Sequence, residues 1–251
     1  MSHLLLEARN ISKSFGAVRA LENVSLSLER GEILGLVGDN AAGKSTFLKI
    51  LAGVHLPDHG ELLVEGKKVV LRNPRDARHM GIEMVYQDFM LAPNLDIVAN
   101  IFLGREVTRW RVFQKLEKKK MKERAAQVLE ELGVQFKSLN TLVMNLSGGQ
   151  QQMVAIARAL LYDPKVILMD EPTASLSVRA IEPLLQLVEN LKERGCSVNY
   201  VSHRLPDVLA IANRIVVLRS GRIVAERKRE ETNLEEIVYF MMGLDRKEGD
   251  A

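Results

Sequence analysis

The chain has 251 residues, of which 47% are hydrophobic and 27% are charged, and its formal net charge is +3. This composition is typical of a globular protein with a sizeable core, and the small charge excess gives no reason to expect nucleic acid as a partner. No apolar run approaches the ~18 residues that a membrane-spanning helix needs, and the apolar residues 4–6 are too few for a secretory signal. Cys196 is the single cysteine, which excludes an internal disulfide and favours a reducing cytosol.

Two stretches near the beginning of the chain, residues 4–9 and 24–28, alternate apolar and polar side chains and predict half-exposed strands. Phe15 lies between them. Its ring either belongs to the hydrophobic core or stacks on the base of a nucleotide, a contact worth ~1–3 kcal/mol. Phe15 alone does not decide between these interpretations, and Val18 is a second candidate for contact with a base.

A glycine-rich segment follows the apolar strand predicted at residues 33–37 and precedes a helical pattern. Gly38, Gly43, Lys44 and Ser45 have the spacing G-x-x-x-x-G-K-[ST]. In such a loop the backbone N–H groups surround a phosphate, the lysine contacts the β- and γ-phosphates, and the serine hydroxyl ligates Mg²⁺. The alternative, a glycine-rich turn before an ordinary helix, is disfavoured by this context. The predicted phosphate site consists of Gly38, Asn40, Ala41, Ala42, Gly43, Lys44, Ser45 and Thr46.

Further strand patterns occur at residues 61–64, 67–71 and 82–86, with a short helix predicted at 74–80. Gln87 follows the last of these strands. A glutamine at the end of a strand is usually only solvated, so any role for Gln87 has to come from its surroundings.

After residue 88 the pattern becomes helical, with Asp96 as the predicted cap of a helix through residue 103 and an amphipathic stretch at 115–132. Residues 109–124 are conspicuously basic. They form either a solvated helical face or a surface that attracts acidic lipid head groups or an acidic loop of a partner. The basic side chains are Arg109, Arg111, Lys115, Lys118, Lys119, Lys120, Lys122 and Arg124.

Ser147, Gly148 and Gly149 begin another apolar helical pattern. A helix cap explains the serine, but it gives no reason for two consecutive glycines. A second nest of N–H groups suited to an anion explains all three residues.

Residues 166–169 are all apolar and predict a strand buried on both faces of a parallel sheet. Asp170 and Glu171 follow at the carboxyl end of this strand, where ligands bind in open α/β sheets. Hydrolysis of a phosphate ester needs one acid to hold the Mg²⁺ shell and another to orient or deprotonate water. We therefore assign these two roles to Asp170 and Glu171.

The remaining patterns predict a helix at residues 178–194, a strand at 197–202, a hairpin at 215–225 and a terminal helix at 234–242. The strand at 197–202 leads to His203, again at a carboxyl end. A lone histidine is more often structural, but its place in this order of motifs favours a functional role.

With these motifs in this order, the chain resembles the nucleotide-binding subunit of ABC transporters along nearly its whole length. Residues 85–88, 101–106 and 201–205 are more narrowly similar to bacterial sugar importers of the ribose and fructose type, many of which carry two such domains in one chain. By this resemblance the phosphate loop ending at Thr46 matches the Walker A motif of the family, and residues 166–171 match its Walker B motif with the catalytic glutamate. Gln87 matches the Q-loop, and residues 146–150 match the LSGGQ signature. His203 corresponds to the switch histidine, and Phe15 corresponds to the adenine-stacking aromatic.

The resemblance implies an α/β fold, the P-loop ABC ATPase fold, with a mostly parallel core sheet, an antiparallel β region and an inserted helical subdomain. Residues 1–87 and 163–251 are expected to form the catalytic core, and residues 88–162 the helical subdomain with the signature, all within a single domain of residues 1–251.

The resemblance also implies the chemistry and the partners. Two such subunits close head to tail on two ATP molecules, so that Ser147, Gly148 and Gly149 complete the partner's site. Lys44 and Mg²⁺ would stabilise charge, Glu171 would act on water, and His203 would hold water and γ-phosphate. The expected metal ligands are Ser45, Gln87 and Asp170.

A peripheral position at the cytoplasmic face of the cell membrane is implied, with permease subunits as partners and a substrate-binding protein as an indirect one. Gln87 and the helical subdomain would pass the motion to the permease. The implied function is ATP hydrolysis that energises import of a small solute, in the first place a sugar. The alternatives are an exporter subunit and an ABC ATPase without a transport role.

Two residues depart from the family pattern. Ala41 replaces a glycine that is common in this loop, and we expect a negative φ there because a Cβ disfavours the left-handed region. Ser177 stands where an aspartate usually helps to connect the two nucleotide sites, so we expect loose coupling between them.

Overall fold

A computed structural model describes residues 4–109 and 116–244 of the chain. Within these residues the strands form a four-stranded and a six-stranded sheet. The strands are β1 (Leu4–Phe15), β2 (Val18–Glu29), β3 (Ile33–Val37), β4 (His59–Val64), β5 (Lys67–Val69), β6 (Ile82–Val85), β7 (Val166–Asp170), β8 (Ser197–Val201), β9 (Arg214–Arg219) and β10 (Arg222–Lys228). The helices are α1 (Lys44–Leu51), α2 (Pro74–His79), α3 (Ile97–Ile101), α4 (Lys118–Glu131), α5 (Gly148–Leu160), α6 (Val178–Glu193), α7 (Leu205–Ile211) and α8 (Leu234–Met242).

The smaller sheet is antiparallel, in the order β2-β1-β4-β5, and confirms the antiparallel region expected near the beginning of the chain. Its first two strands are longer than the predicted stretches. Register shifts between Ala8 and Ile11 and between Ile11 and Lys13 break the alternation of side chains, and Asn10 has a φ of 53°. Because a bulge interrupts the period of two, the alternating pattern stops at residue 9 while the strand continues to Phe15.

The larger sheet has the order β10-β9-β3-β8-β7-β6 and is parallel except for β10, which pairs antiparallel with β9. All residues of β3, β7 and β8 are buried, as expected when both faces of a parallel sheet are covered. The parallel direction brings the carboxyl ends of β3, β6, β7 and β8 to one edge. This edge carries the loops in which the site was predicted.

The middle of the chain is helical, as predicted. Asp96 caps α3 by accepting a hydrogen bond from the Ala99 N–H at 2.7 Å, although α3 ends at Ile101 rather than at residue 103. The amphipathic stretch becomes α4, whose first residue is Lys118, and residue 115 lies outside the described residues. Helix α5 contacts α3, α4 and strand β6. The division into a core and a helical subdomain at residues 88–162 stays a prediction.

Alternate side chains of β8 enter hydrophobic clusters on opposite faces of the parallel sheet. Val198 and Tyr200 pack in the cluster that includes Leu184 of α6, whereas Val201 packs in the cluster that includes Phe47 of α1. Helices thus cover both faces of the parallel sheet, and the loops of the site extend from its carboxyl edge.

Asn199 of β8 is an unusual member of this core, because neither polar atom of its side chain has a hydrogen-bond partner among the described residues. Such a buried amide costs about 1–3 kcal/mol, so we expect Asn199→Val to raise the free energy of unfolding by about that amount in a denaturant titration. Asn100→Leu is the matched control. Asn100 is also fully buried, but its amide bonds to Ala92, Leu95 and Asp96, so this substitution should destabilise. An equal decrease in the free energy of unfolding in both variants would contradict the prediction.

Candidate functional site

A cleft of about 520 Å³ opens at the carboxyl edge of the parallel sheet. The phosphate loop between β3 and α1 forms its floor, and the residues that follow β6, β7 and β8 contribute its other walls. The structure therefore brings together side chains that are far apart in sequence. The lining residues are Val18, Arg19, Ala20, Asn40, Ala41, Ala42, Gly43, Lys44, Ser45, Thr46, Gln87, Glu171 and His203.

Lys44 is buried in the phosphate loop, and its Nζ donates hydrogen bonds to the Gly38 carbonyl at 2.7 Å and the Asp39 carbonyl at 2.9 Å. Burial lowers the pKa of Lys44, while the charges of Glu171, Asp170 and Asp39 oppose this shift. The carboxylates thus help to keep an ammonium group in a site where desolvation disfavours it.

Two glycines of the phosphate loop are required because other parts of the backbone pass very close to them. A Cβ on Gly38 would lie 2.0 Å from the Leu218 carbonyl oxygen, and one on Gly43 would lie 2.5 Å from that of Ala20. Both glycines also have positive φ, at 153° and 103°. Only glycine fits these two positions.

The expectation for Ala41 was wrong, because its φ is +66° rather than negative. The Ala42 N–H donates to the Asp39 carbonyl at 3.1 Å, and this turn places Ala41 in the left-handed region. That region costs a residue with a Cβ about 1–2 kcal/mol, which glycine avoids. The loop keeps its shape at the expense of strain at Ala41.

Asp170 meets the phosphate loop directly, since the Ser45 Oγ donates to its Oδ1 at 3.0 Å. The Asp170 carboxyl is buried, which raises its pKa, and the hydrogen bond from Ser45 partly opposes this shift. A hydroxyl and a carboxylate side by side are oxygen donors of the kind that a hard divalent cation prefers. No cluster of three or more His, Cys, Asp or Glu residues suited to a metal occurs in the described parts of the chain.

The raised pKa of Asp170 has a consequence for stability. When the pKa of a carboxyl is higher in the folded than in the unfolded protein, the free energy of unfolding falls as the pH rises from the unfolded-state pKa to the folded-state pKa. This loss of stability remains at neutral pH. We therefore expect Asp170→Asn to raise the Tm at pH 7 in metal-free, nucleotide-free buffer, as measured by differential scanning fluorimetry. The difference should shrink as the pH approaches the raised pKa. A lower Tm for the variant at pH 7 would contradict this assignment.

Glu171 and His203 lie together in the cleft. Glu171 Oε2 is 2.7 Å from His203 Nδ1 and accepts the backbone N–H of His203 at 3.2 Å. Glu171 has a φ of 51°, in a region where non-glycine residues are strained, and strained residues concentrate at functional sites. The two contacts with His203 thus hold the Glu171 carboxylate in a cleft that it shares with the phosphate loop.

Phe15 and Val18 differ in their placement. Val18 lines the cleft, whereas Phe15 is not among the lining residues and packs edge-on against His55 with ring centroids 5.2 Å apart. Phe15 is 45% exposed, so it is not a residue of the hydrophobic core. Its stacking on a base stays a prediction.

Ser147 caps α5 in a capping box. Its Oγ accepts the Gln150 N–H at 3.3 Å, and the Gln150 Oε1 accepts the Ser147 N–H at 3.0 Å. A Cβ on Gly148 would lie 3.3 Å from the Ser175 carbonyl oxygen, so local packing supplies a reason for one glycine that the sequence did not reveal. Ser147, Gly148 and Gly149 are not among the lining residues, and their role in a partner's site stays a prediction.

Sequence reasoning missed Arg19 and Ala20, which line the cleft from β2. Their only signal was adjacency to Val18. The lysines at the start of α4 are exposed, which leaves both interpretations of the basic run open, and residues 110–115 lie outside the described residues. Ser177 precedes α6 but makes no capping hydrogen bond with its side chain.

None of the helices within residues 4–109 and 116–244 combines the length and the apolar character that crossing a membrane requires.

Comparison with known proteins places this site in a family. The chain is 50% identical over 237 residues to the xylose/arabinose import ATP-binding protein XylG of Sulfolobus acidocaldarius, covering 94% of this chain and 93% of that protein. It is 42% identical over 244 residues to the ribose import ATP-binding protein RbsA of Caldanaerobacter subterraneus subsp. tengcongensis, covering 97% of this chain. The chain spans 49% of the length of that ribose protein.

Solved structures agree with the sequence comparison. A nucleotide-free ATP-binding cassette from an ABC transporter superposes with a TM-score of 0.85 at 28% identity, covering 98% of this chain and 100% of the other. A bacterial ABC transporter cassette solved as a dimer has a TM-score of 0.77 at 28% identity, covering 90% and 99%. The family model described as ABC transporter matches residues 21–174. The chain therefore belongs to the ABC transporter family, as one of its ATP-binding cassettes.

Proposed function

We propose that the chain hydrolyses ATP to energise the import of a sugar through a membrane permease. The single observation that best supports hydrolysis is the cleft that joins the phosphate loop to Glu171 and His203. The proposal of sugar import rests on the similarity to XylG, which extends over nearly the full length of both chains.

In the proposed mechanism, Lys44 and the N–H groups of the loop bind the phosphates of ATP, and Lys44 turns its ammonium from the Gly38 and Asp39 carbonyls towards them. Ser45, Asp170 and Gln87 would hold Mg²⁺, which neutralises phosphate charge when it is bound. The hydrogen bond from Ser45 to Asp170 places two of these proposed metal ligands next to each other.

Glu171 acts on the attacking water, because its carboxylate lies in the cleft, where it accepts a hydrogen bond from the backbone N–H of His203 and contacts Nδ1 of the same residue. His203 is 54% exposed at its side chain, so its ring can reach water and the γ-phosphate while Nδ1 contacts Glu171. A positioned base of this kind typically accelerates a reaction ~10²–10⁴-fold.

A second copy of the chain, or a similar subunit, would complete each site in a head-to-tail dimer. Helix α5 begins at Gly148, just after its cap Ser147, and the N–H groups of its first turn have no partners within the helix and lie at its positive end. Yet this end of α5 is not among the residues that line the cleft of its own chain. The similarity to a cassette solved as a dimer supports dimerisation.

A groove of about 220 Å³ next to the segment after Gln87 is the surface that best suits a permease. Arg158 of α5 donates to the Phe89 carbonyl at 2.9 Å and the Met90 carbonyl at 2.6 Å. These two hydrogen bonds connect the segment after Gln87 to α5, the helix capped by Ser147. A partner bound in the groove would therefore contact residues that are linked both to Gln87 and to the signature residues. The groove is lined by Ala52, Pro74, Arg78, Ile82, Glu83, Met84, Tyr86, Met90, Leu103, Arg105 and Arg158. Permease binding would place the chain at the cytoplasmic face of the membrane.

Transport in proteoliposomes tests the proposal. The genes next to that of the chain are searched for a permease and a binding protein, the chain is reconstituted with them, and labelled xylose, arabinose and ribose are offered on the side of the binding protein. We expect uptake that requires ATP and is lost with Glu171→Gln. Movement in the opposite direction would favour the exporter alternative, and ATP hydrolysis without movement of any sugar would contradict sugar import.

A further inference from the structure

Asp207 of α7 is a buried carboxylate outside the cleft. Its side chain is 6% exposed, and Oδ2 accepts hydrogen bonds from Thr173 Oγ1 at 2.9 Å and from Arg204 Nε at 3.0 Å. Thr173 is itself buried, with 2% of its surface exposed. A charged group at such depth is costly unless it is paired, and here both partners are supplied by loops of the site.

These partners adjoin the two residues that meet in the cleft. Thr173 follows Glu171 by two positions, in the loop after β7, and Arg204 directly follows His203, in the loop after β8. A single oxygen of Asp207 thus connects the loop that carries Glu171 with the loop that carries His203.

We propose that Asp207 is a positioning residue that sets the distance and orientation between Glu171 and His203. Glu171 is held at a φ of 51°, and a strained conformation persists only where surrounding contacts enforce it. The bond from Thr173 anchors the chain just beyond this strained residue. The inference rests on the proposed roles of Glu171 and His203 in hydrolysis.

A simpler role for Asp207 is to stabilise α7, since it lies in the first turn, where a negative charge is favourable. That role does not require burial, and it does not explain a hydrogen bond to a hydroxyl on a different loop 34 residues away in sequence. The two roles differ in what they predict for turnover.

Variants of the Asp207–Thr173 contact distinguish the positioning role from the helix-stabilising role. Asp207→Asn and Thr173→Val are expected to lower kcat by roughly 10- to 100-fold, as displacements of about 1 Å at a reacting group do, with the KM for ATP nearly unchanged. Thr173→Ser keeps the hydroxyl and should retain most of the turnover. If Asp207→Asn does not fold, Thr173→Val distinguishes the two roles, because valine has nearly the same shape as threonine.

Glu32→Gln is the matched control, since Glu32 is another buried carboxylate, bonded to Arg214 at 2.8 Å and not among the residues that line the cleft. It should lower the Tm without changing kcat. If Asp207→Asn and Thr173→Val keep wild-type kcat, or if Glu32→Gln loses kcat to the same extent, the inference is overturned.

A double-mutant cycle with Glu171→Gln provides the second test, in single-turnover assays of residual hydrolysis. If Asp207 acts through Glu171, Asp207→Asn should reduce the rate far less in the Glu171→Gln background than in wild type. An equal reduction in both backgrounds would overturn the inference while leaving the role of Glu171 intact. Wild-type turnover in Glu171→Gln alone would instead remove the proposed function on which the inference rests.

Discussion

Replacing Glu171 with glutamine is expected to leave ATP binding intact and to lower turnover by ~10²–10⁴-fold, the usual contribution of a positioned base. Glutamine has nearly the same shape, so the loop after β7 should be retained, but an amide cannot take a proton from water. Steady-state release of phosphate measures the loss, and binding of a fluorescent ATP analogue measures the retained affinity. Because the nucleotide stays uncleaved, an ATP-dependent dimer should also persist in size-exclusion chromatography.

Glu182→Gln is the control for this result, because Glu182 is an exposed glutamate on α6. It should have wild-type turnover and no persistent dimer. Undiminished hydrolysis in Glu171→Gln would show that another group acts on the water.

Replacing Lys44 with alanine is expected to abolish ATP binding at micromolar nucleotide. Charge-assisted contacts to phosphate are worth about 1.5–3 kcal/mol each, and the ammonium group would contribute more than one of them. The fold should survive, because burial disfavours the charged form of this lysine, as its lowered pKa indicates. Equilibrium binding of labelled ATP and a thermal melt of the same samples measure both effects.

Lys67→Ala is the corresponding control, since Lys67 is an exposed lysine of β5 in the other sheet. It should bind ATP like the wild type. Wild-type affinity in Lys44→Ala would mean that the glycine-rich segment is not a phosphate loop.

Much of the architecture could be predicted because local pattern and global fold agree. The apolar runs that became β3, β7 and β8 are buried on both faces, and their carboxyl ends meet at one edge in a parallel sheet. Placing Lys44, Asp170, Glu171 and His203 in one region therefore required only the order of strands and motifs.

What could not be predicted depends on three-dimensional contacts. The positive φ of Ala41 follows from the turn between Asp39 and Ala42, while residue type alone favours the opposite sign. The full length of β1 was hidden by bulges, which remove the alternating pattern without ending the strand. The bond between Thr173 and Asp207 joins two loops, and neither residue has a sequence signal that points to the other.

A mixing experiment with Lys44→Ala and Ser147→Arg tests most directly the central claim that each ATP site is shared by two subunits. Each variant should be inactive alone. In a mixed dimer with shared sites, one site carries both defects and the other is intact, so part of the ATPase activity should return, especially because Ser177 predicts loose coupling. ATP-dependent dimerisation is followed alongside turnover. Return of activity is the predicted result, whereas an equimolar mixture of the two folded variants that recovers neither turnover nor ATP-dependent dimerisation would contradict the shared site.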